Sequence, residues 1–301
     1  MSNSALAYET RRSAWAVRAA DCLELTKPRI VVLVLVTVVV AATVAGWSVP
    51  NPWTLINTLV GTALVAASAS ALNQWLERDC DALMARTADR PLPSGRMTGV
   101  QVLCFAFAAV FAGLLHLALL VNPTTALFGL LTWFIYVCIY TPLKPHTSAN
   151  TAVGAVAGAL PVWIGWSSVG GTIDLVAWAL FLIVFLWQFP HFMAIAWIYR
   201  AQYASAGMKM LSVVDPSGRR AAAQAVVSAT ALVPVSLLPA VLNVAGSVYF
   251  AWALVLGVAQ LACAVWFLVR LDEEAARRLL RASLIYLPMV MLLLMLGPFI
   301  S

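Results

Sequence analysis

Residues 53–96 read WTLINTLVGTALVAASASALNQWLERDCDALMARTADRPLPSGR, and how this stretch is read decides the fold. Its first twenty residues are apolar or small, which as a helix is enough to cross the roughly 30 Å hydrocarbon core of a bilayer. From Asn73 onward ionisable side chains crowd in. If the helix continues, Asn73, Glu77 and Asp81 stand at i, i+4 and i+8 and share one face within roughly 80° of arc. Three oxygen donors then point the same way, while Asp79 falls off that face. Carboxylates beside hydrocarbon are costly unless cations or water compensate, so such a face marks an ion or substrate site. Arg78, Arg86, Arg90 and Arg96 follow directly, and Pro91, Pro93 and Gly95 stop the helix.

The rest of the chain agrees with a membrane setting. Apolar residues make up 63% of it and charged residues 10%, far from the averages of soluble domains. Apolar runs near the spanning length fall at about 30–47, 53–76, 98–120, 124–140, 149–167, 174–199, 224–243, 247–269 and 282–300, which predicts nine transmembrane helices. With the N-terminus inside, all 18 Lys and Arg residues lie on the cytoplasmic side, and the opposite side receives short links with Asp174 as its only charge. An error of one span would break that asymmetry. The expectation is therefore an all-α, multi-pass membrane protein, and the short N-terminal tail fits a bacterial cell inner membrane better than a mitochondrion. Its N-terminus is cytoplasmic, its C-terminus periplasmic, and its central cavity opens near the cytoplasmic face.

Residues 1–29 form a cytoplasmic segment and residues 30–301 a single nine-helix domain. The first 29 residues contain no apolar h-region of a secretory signal, and 14–25 suit either an interfacial helix or a disordered tail. The net charge of +6 is topological and gives no argument for nucleic acid, although a basic face suits anionic lipid or a diphosphate. The five cysteines show neither CxxC nor zinc spacing and read as reduced, packed residues.

Other positions carry a bland and a sharp reading side by side. Lys27 and Arg29 in LTKPRI are positive-inside anchors or contacts to an acidic substrate, the anchor being favoured. Lys144 in YVCIYTPLK is a topology signal or, beside Tyr140, a diphosphate partner. Gly154, Gly158 and Gly165 serve tight packing or shape a lipid-tail channel. His116 reads as a packed histidine. The sixth span ends in WQFPHFMAIAWIYRAQY, where Gln188, His191 and Arg200 interrupt an aromatic run and Pro190 is expected to kink the helix and free backbone acceptors. Second and sixth spans run in the same direction and bring their polar ends to one face. The loop over 201–220 is long enough to be a lid, and 272–281 reads as a solvated helical connection.

Hard oxygens beside arginines and a lysine are what a Mg²⁺-diphosphate needs. At a membrane mouth the diphosphate belongs to a lipid tail, whose ionisation leaves an allylic cation that aromatic faces stabilise. The residues by themselves thus indicate intramembrane prenyl transfer. NxxxExxxD at Asn73, Glu77 and Asp81 resembles the first aspartate-rich motif of the UbiA-type intramembrane prenyltransferases. LTKPRI, the 73–96 stretch, YTPLK, WQFPHF and YASAGMKML together resemble the haem-farnesylating branch of that family, from about residue 25 to 215.

The resemblance implies nine helices around a cavity, and farnesyl transfer from farnesyl diphosphate to a vinyl group of haem b, with water completing a hydroxyethylfarnesyl group. It implies that Asn73, Glu77 and Asp81 hold Mg²⁺, that Arg86, Arg90 and Lys144, with Arg200, bind the diphosphate, and that Lys144 shares in catalysis with the three oxygen residues. Gln188 and His191 would contact haem, His191 orienting it or ligating its iron. A haem A synthase or an oxidase assembly factor is an implied partner, besides membrane lipid. Where the family often has an acidic residue before the loop tyrosine, this chain has Gln202, which can coordinate but adds no charge. Two other readings remain: a related enzyme with a quinone or chlorophyll precursor as acceptor, and a transporter or haem chaperone.

Overall fold

The structure, a computed structural model, describes residues 16–46 and 50–300, with side chains to 296. Arg11, Arg12 and part of the expected link at 48–52 lie outside the described residues. A first helix, α1, covers residues 16–25, so 14–25 is helical over its described part. Then follow α2 (Pro28–Gly46), α3 (Pro52–Ala82), α4 (Gly99–Leu120), α5 (Pro123–Phe134) and a π-helical turn (Ile135–Tyr140) that continues into α6 (Thr141–Leu143). Next come α7 (Asn150–Ala159), α8 (Pro161–Ser168), α9 (Leu175–Ile198), α10 (Arg200–Ser205), α11 (Leu211–Val214), α12 (Arg219–Val241), α13 (Ser247–Arg270) and α14 (Glu273–Ile300). No strand occurs among the described residues.

Among the described residues eight helical segments are long and apolar enough to cross a membrane, against nine expected. The difference lies at 149–167, which is split into α7 and α8. Pro161 has no amide hydrogen and its ring clashes with the preceding turn, so the ladder breaks at Leu160 and neither half reaches spanning length. Pro142 acts more mildly. It cannot donate to the carbonyl of Cys138, and the chain widens into the π turn, where the Thr141 amide bonds to the carbonyl of Tyr136. By contrast α9 continues through Pro190.

Helix starts follow local chemistry. The Asn51 side chain accepts from the amides of Trp53 and Thr54 ahead of Pro52, Thr98 and Gln101 form a capping box, and Asp174 caps α9. At 31 residues α3 is about 46 Å long, so it carries 73–81 past the apolar run as continuous helix. The expected connection at 272–281 is absorbed into α14.

The bundle closes through small residues, as expected where lipid removes the hydrophobic drive for helix association. A Cβ on Gly165 would stand 2.2 Å from the Val38 carbonyl oxygen, so α8 lies directly on α2. The main core surrounds α9 with Leu180, Ile183, Trp187, Tyr249 and Tyr286. The segments that follow α3 and α9 meet where the Arg86 guanidinium donates to the Tyr203 hydroxyl at 3.3 Å. Between them a cavity of about 470 Å³ is left open, lined from α3 by Asn73, Glu77 and Asp81 and from α9 by Gln188, His191 and Phe192.

Candidate active site

Asn73, Glu77 and Asp81 are buried along one face of α3, and each meets its own partner cation. Lys27 Nζ donates to Asn73 Oδ1 at 2.6 Å, Lys144 Nζ lies 2.6 Å from Glu77 Oε1, and Arg90 Nη1 donates to Asp81 Oδ2 at 2.6 Å. The three cations come from the turn before α2, the end of α6 and the loop after α3. Asp79 points away and is exposed.

Local backbone explains how each cation arrives. Lys27 has φ 51°, a left-handed conformation that costs a β-carbon residue about 1–2 kcal/mol and turns its side chain back over the site. That turn is held from outside: the Arg96 guanidinium pairs with Asp21 and, at 2.8 Å, with Glu24 of α1, while Gln74 Nε2 donates to the Leu25 carbonyl at 2.9 Å. The π turn sets Tyr136 and Tyr140 on the cavity wall, 5.2 Å between ring centres, and Lys144 Nζ lies 4.6 Å from the Tyr140 ring. Thr141 Oγ1 donates to the Tyr136 carbonyl at 2.8 Å and accepts from Asn73 Nδ2 at 3.2 Å, so the amide oxygen of Asn73 faces Lys27.

Four cations, Lys27, Arg86, Arg90 and Lys144, line the cavity against two carboxylates, Glu77 and Asp81, an excess of two positive charges. Burial, and next the neighbouring Arg90, push the Lys27 ammonium down to about 7, with Glu77 opposing. Burial acts the same way on Lys144, but Glu77 and then Tyr140 and Tyr136 more than reverse it, and its pKa is raised. Such a site favours a polyanion, which would restore full charge to Lys27.

The cavity wall supplied by α9 is aromatic. The His191 ring stacks on Trp187 at 5.0 Å and its Nδ1 lies 2.9 Å from Ser283 Oγ. Gln188 Nε2 donates to the carbonyls of Ala155 and Val184, and Gly158 gives the amide room, since a Cβ there would be 2.2 Å from Gln188 Oε1. A second, apolar cavity of about 270 Å³ opens beside the first, sharing Ile30, Val34, Tyr136, Tyr140 and Gln188, and extends along α3 to Thr62. The loop expected as a lid packs Tyr203, Met208 and Met210 over the mouth, pinned where the Lys209 amide donates to the Lys144 carbonyl at 2.8 Å.

Not every expected residue joins the site. Arg200 donates to the Trp197 carbonyl at 2.8 Å and stacks on that ring, outside the cavity lining. Gln202 also lies outside it, with a buried Oε1 that has no partner. Three residues were undervalued or missed: Lys27, read mainly as an anchor, Thr141 and Ser283. Lys27 had a sequence signal in LTKPRI; Ser283 had none.

Among the described residues no three His, Cys, Asp or Glu side chains come together as a metal cluster. The donor set is two carboxylates and an amide oxygen. Asp81 Oδ1 is buried without a partner, which is the opening a hard divalent cation would fill.

Residues 34–294 match the UbiA prenyltransferase family. The chain belongs to that family. This UbiA prenyltransferase is 43% identical over 287 residues to "Protoheme IX farnesyltransferase" of Solibacter usitatus, covering 90% of this chain and 96% of that protein. It is 43% identical over 281 residues to the protein of the same name from Rhodopirellula baltica, covering 90% and 98%. Among solved structures, digeranylgeranylglyceryl phosphate synthase superposes with a TM-score of 0.79 at 15% identity, covering 93% of this chain and 98% of that one. A UbiA homologue from Archaeoglobus fulgidus bound to DMAPP and Mg²⁺ gives 0.71 at 17% identity, covering 93% and 98%. At those identities the two structures bear on the fold of this UbiA prenyltransferase alone.

Removing one partner of a buried ion pair strands the other. Arg90→Gln is expected to lower stability by about 3–5 kcal/mol, and Asp81→Asn in the same chain to recover most of it. Unfolding by SDS in mixed micelles measures both; an additive double variant would contradict the pairing.

Proposed function

We propose that this protein transfers the farnesyl group of farnesyl diphosphate to a vinyl group of haem b. The observation that carries the proposal is the row of three oxygen residues, each facing its own cation, at the junction of a charged cavity and an apolar one. Support for the acceptor comes from eight relatives, 38–43% identical, that share the name "Protoheme IX farnesyltransferase". Neither another aromatic acceptor nor transport finds support among them.

In this reading the diphosphate sits against Lys27, Arg86, Arg90 and Lys144, and the isoprenoid tail lies in the apolar cavity along α3. Asn73, Glu77 and Asp81 would hold Mg²⁺, which when bound shields the phosphate oxygens and eases departure of the leaving group. The lysines and arginines stabilise charge that grows on the diphosphate as the allylic C–O bond breaks. Tyr136 and Tyr140 present ring faces to the farnesyl cation, and the apolar walls keep water from quenching it early. Haem lies against Trp187, Gln188, His191 and Phe192, with its vinyl group toward the cation. Attack leaves a cation beside the macrocycle, and water closes it to the hydroxyethylfarnesyl group. Arg200 has no part in this arrangement.

Membranes containing the protein, given farnesyl diphosphate and haem b, are expected to yield farnesylated haem by mass, and a chelator to suppress it. Glu77→Gln or Asp81→Asn lowers turnover about 100-fold or more with the protein still folded; near-normal product from either would contradict the assigned roles.

The one-sided distribution of Lys and Arg supports an inner-membrane orientation with a cytoplasmic N-terminus and a periplasmic C-terminus. This requires α7 and α8 to cross as one broken span. A phosphatase fused after Ser301 is then active; an inactive fusion with intact expression would refute the orientation.

A further inference from the structure

The reaction proposed above releases a proton that no residue has yet been given. The C1–O bond of farnesyl diphosphate breaks and its electron pair leaves with the diphosphate. The vinyl π pair forms the new bond to C1, and the inner vinyl carbon becomes the cation. A water lone pair closes on that carbon, and the resulting oxonium must lose one proton. Were the cation quenched by elimination instead, a C–H proton would leave, so an acceptor is needed either way.

The basic groups on the cavity wall can be sorted by what already holds them. Glu77 and Asp81, paired with Lys144 and Arg90 here, would be taken up by Mg²⁺ in the reading above. Lys27 donates to Asn73 and faces the polyanion, which keeps it protonated. Tyr136, Tyr140 and Tyr203 are phenols, and the amides of Asn73 and Gln188 are not basic. His191 remains, and its hydrogen bonds fix which nitrogen is free. Ser283 Oγ has a single proton, and that proton is donated to the Leu280 carbonyl at 2.7 Å. With its proton on that carbonyl, Ser283 Oγ accepts from His191 Nδ1 at 2.9 Å, which assigns the ring its Nδ1-protonated tautomer. Nδ1 carries the imidazole proton, which leaves Nε2 with an open lone pair on a residue that lines the cavity.

The ring is held rigidly in that pose. It stacks on Trp187 at 5.0 Å with 24° between planes, and Trp187 Nε1 donates to the Ser283 carbonyl at 2.7 Å. Its depth also suits the task. His191 is seven residues, about 10 Å, from the end of α9 at Ile198, and Glu77 is five residues, about 7.5 Å, from the end of α3 at Ala82. The segments after the two helices touch through Arg86 and Tyr203, and His191 and Glu77 line the same cavity.

We infer that His191, locked by Ser283 in its Nδ1-protonated form, is the proton acceptor of the transfer, taking through Nε2 the proton lost when water closes the cation beside the macrocycle. The inference rests on the farnesyl-to-haem reading. It gives Ser283 a positioning role acting through His191.

The test uses the full chain in lipid nanodiscs with farnesyl diphosphate and haem b. Wild type must first give farnesylated haem, since without product the proposed function itself fails and the assignment to His191 falls with it. His191→Ala is expected to lower kcat about 100-fold while the KM for farnesyl diphosphate and the position of the Soret band of bound haem stay as in wild type, the rate being read at saturating haem because the ring also packs against the macrocycle. Added imidazole is expected to restore part of the rate. Ser283→Ala, which frees the ring to change tautomer, should lower kcat by about tenfold with the haem titration unchanged, and it decides the matter if His191→Ala does not fold. An unchanged kcat in the folded variants would overturn the inference and leave the departing diphosphate as the acceptor. A shifted Soret band in His191→Ala would also overturn it and make His191 an iron ligand.

Discussion

Two carboxylates buried at the end of a membrane helix are tolerable only if positive charge reaches them, and in this protein it reaches them from separate parts of the chain. Lys144 meets Glu77 and Arg90 meets Asp81, while Lys27 meets the amide of Asn73. Pairs of this kind add little net stability, because desolvation consumes most of the Coulombic gain, yet breaking one is expensive. The fold must therefore keep the turn before α2, the end of α6 and the loop after α3 in place together. The Arg96 contacts to α1, the π turn at Ile135–Tyr140 and the backbone link from Lys209 to Lys144 are the means.

The same requirement divides the interior. Charge sits at one end of the cavity, where cations exceed carboxylates, and the adjoining space along α3 is lined by side chains such as Val65, Ala66 and Ala69. Gly154 and Gly158 shape the boundary: a Cβ at 154 would stand 2.6 Å from the Tyr140 ring, and one at 158 would displace Gln188. A charged headgroup and an apolar tail can thus be held on either side of one wall of tyrosines.

Much of this was legible in the sequence because it follows from helical period and composition. The i, i+4, i+8 spacing put Asn73, Glu77 and Asp81 on one face, and the distribution of Lys and Arg organised the spans. What was not legible depended on backbone irregularity or on distant partners. Lys27 looked like an anchor because nothing in LTKPRI announces a left-handed residue, and the split at Pro161 was hidden inside an unbroken apolar run. Ser283 is 92 residues from His191 and sits in an ordinary hydrophobic helix. Arg200 misled for the opposite reason: its place beside WQFPHF suggested the cavity, but the helix turns it onto Trp197.

The most direct test of the central claim is a structure of the protein with Mn²⁺ and a non-hydrolysable thio analogue of farnesyl diphosphate, the metal located by its anomalous scattering. The account predicts Mn²⁺ against Asn73, Glu77 and Asp81, phosphate oxygens on Lys27, Arg90 and Lys144, and the tail running along α3 toward Thr62. A metal elsewhere, or a diphosphate bound away from this row while the two ion pairs and the Lys27–Asn73 contact stay closed, would contradict it.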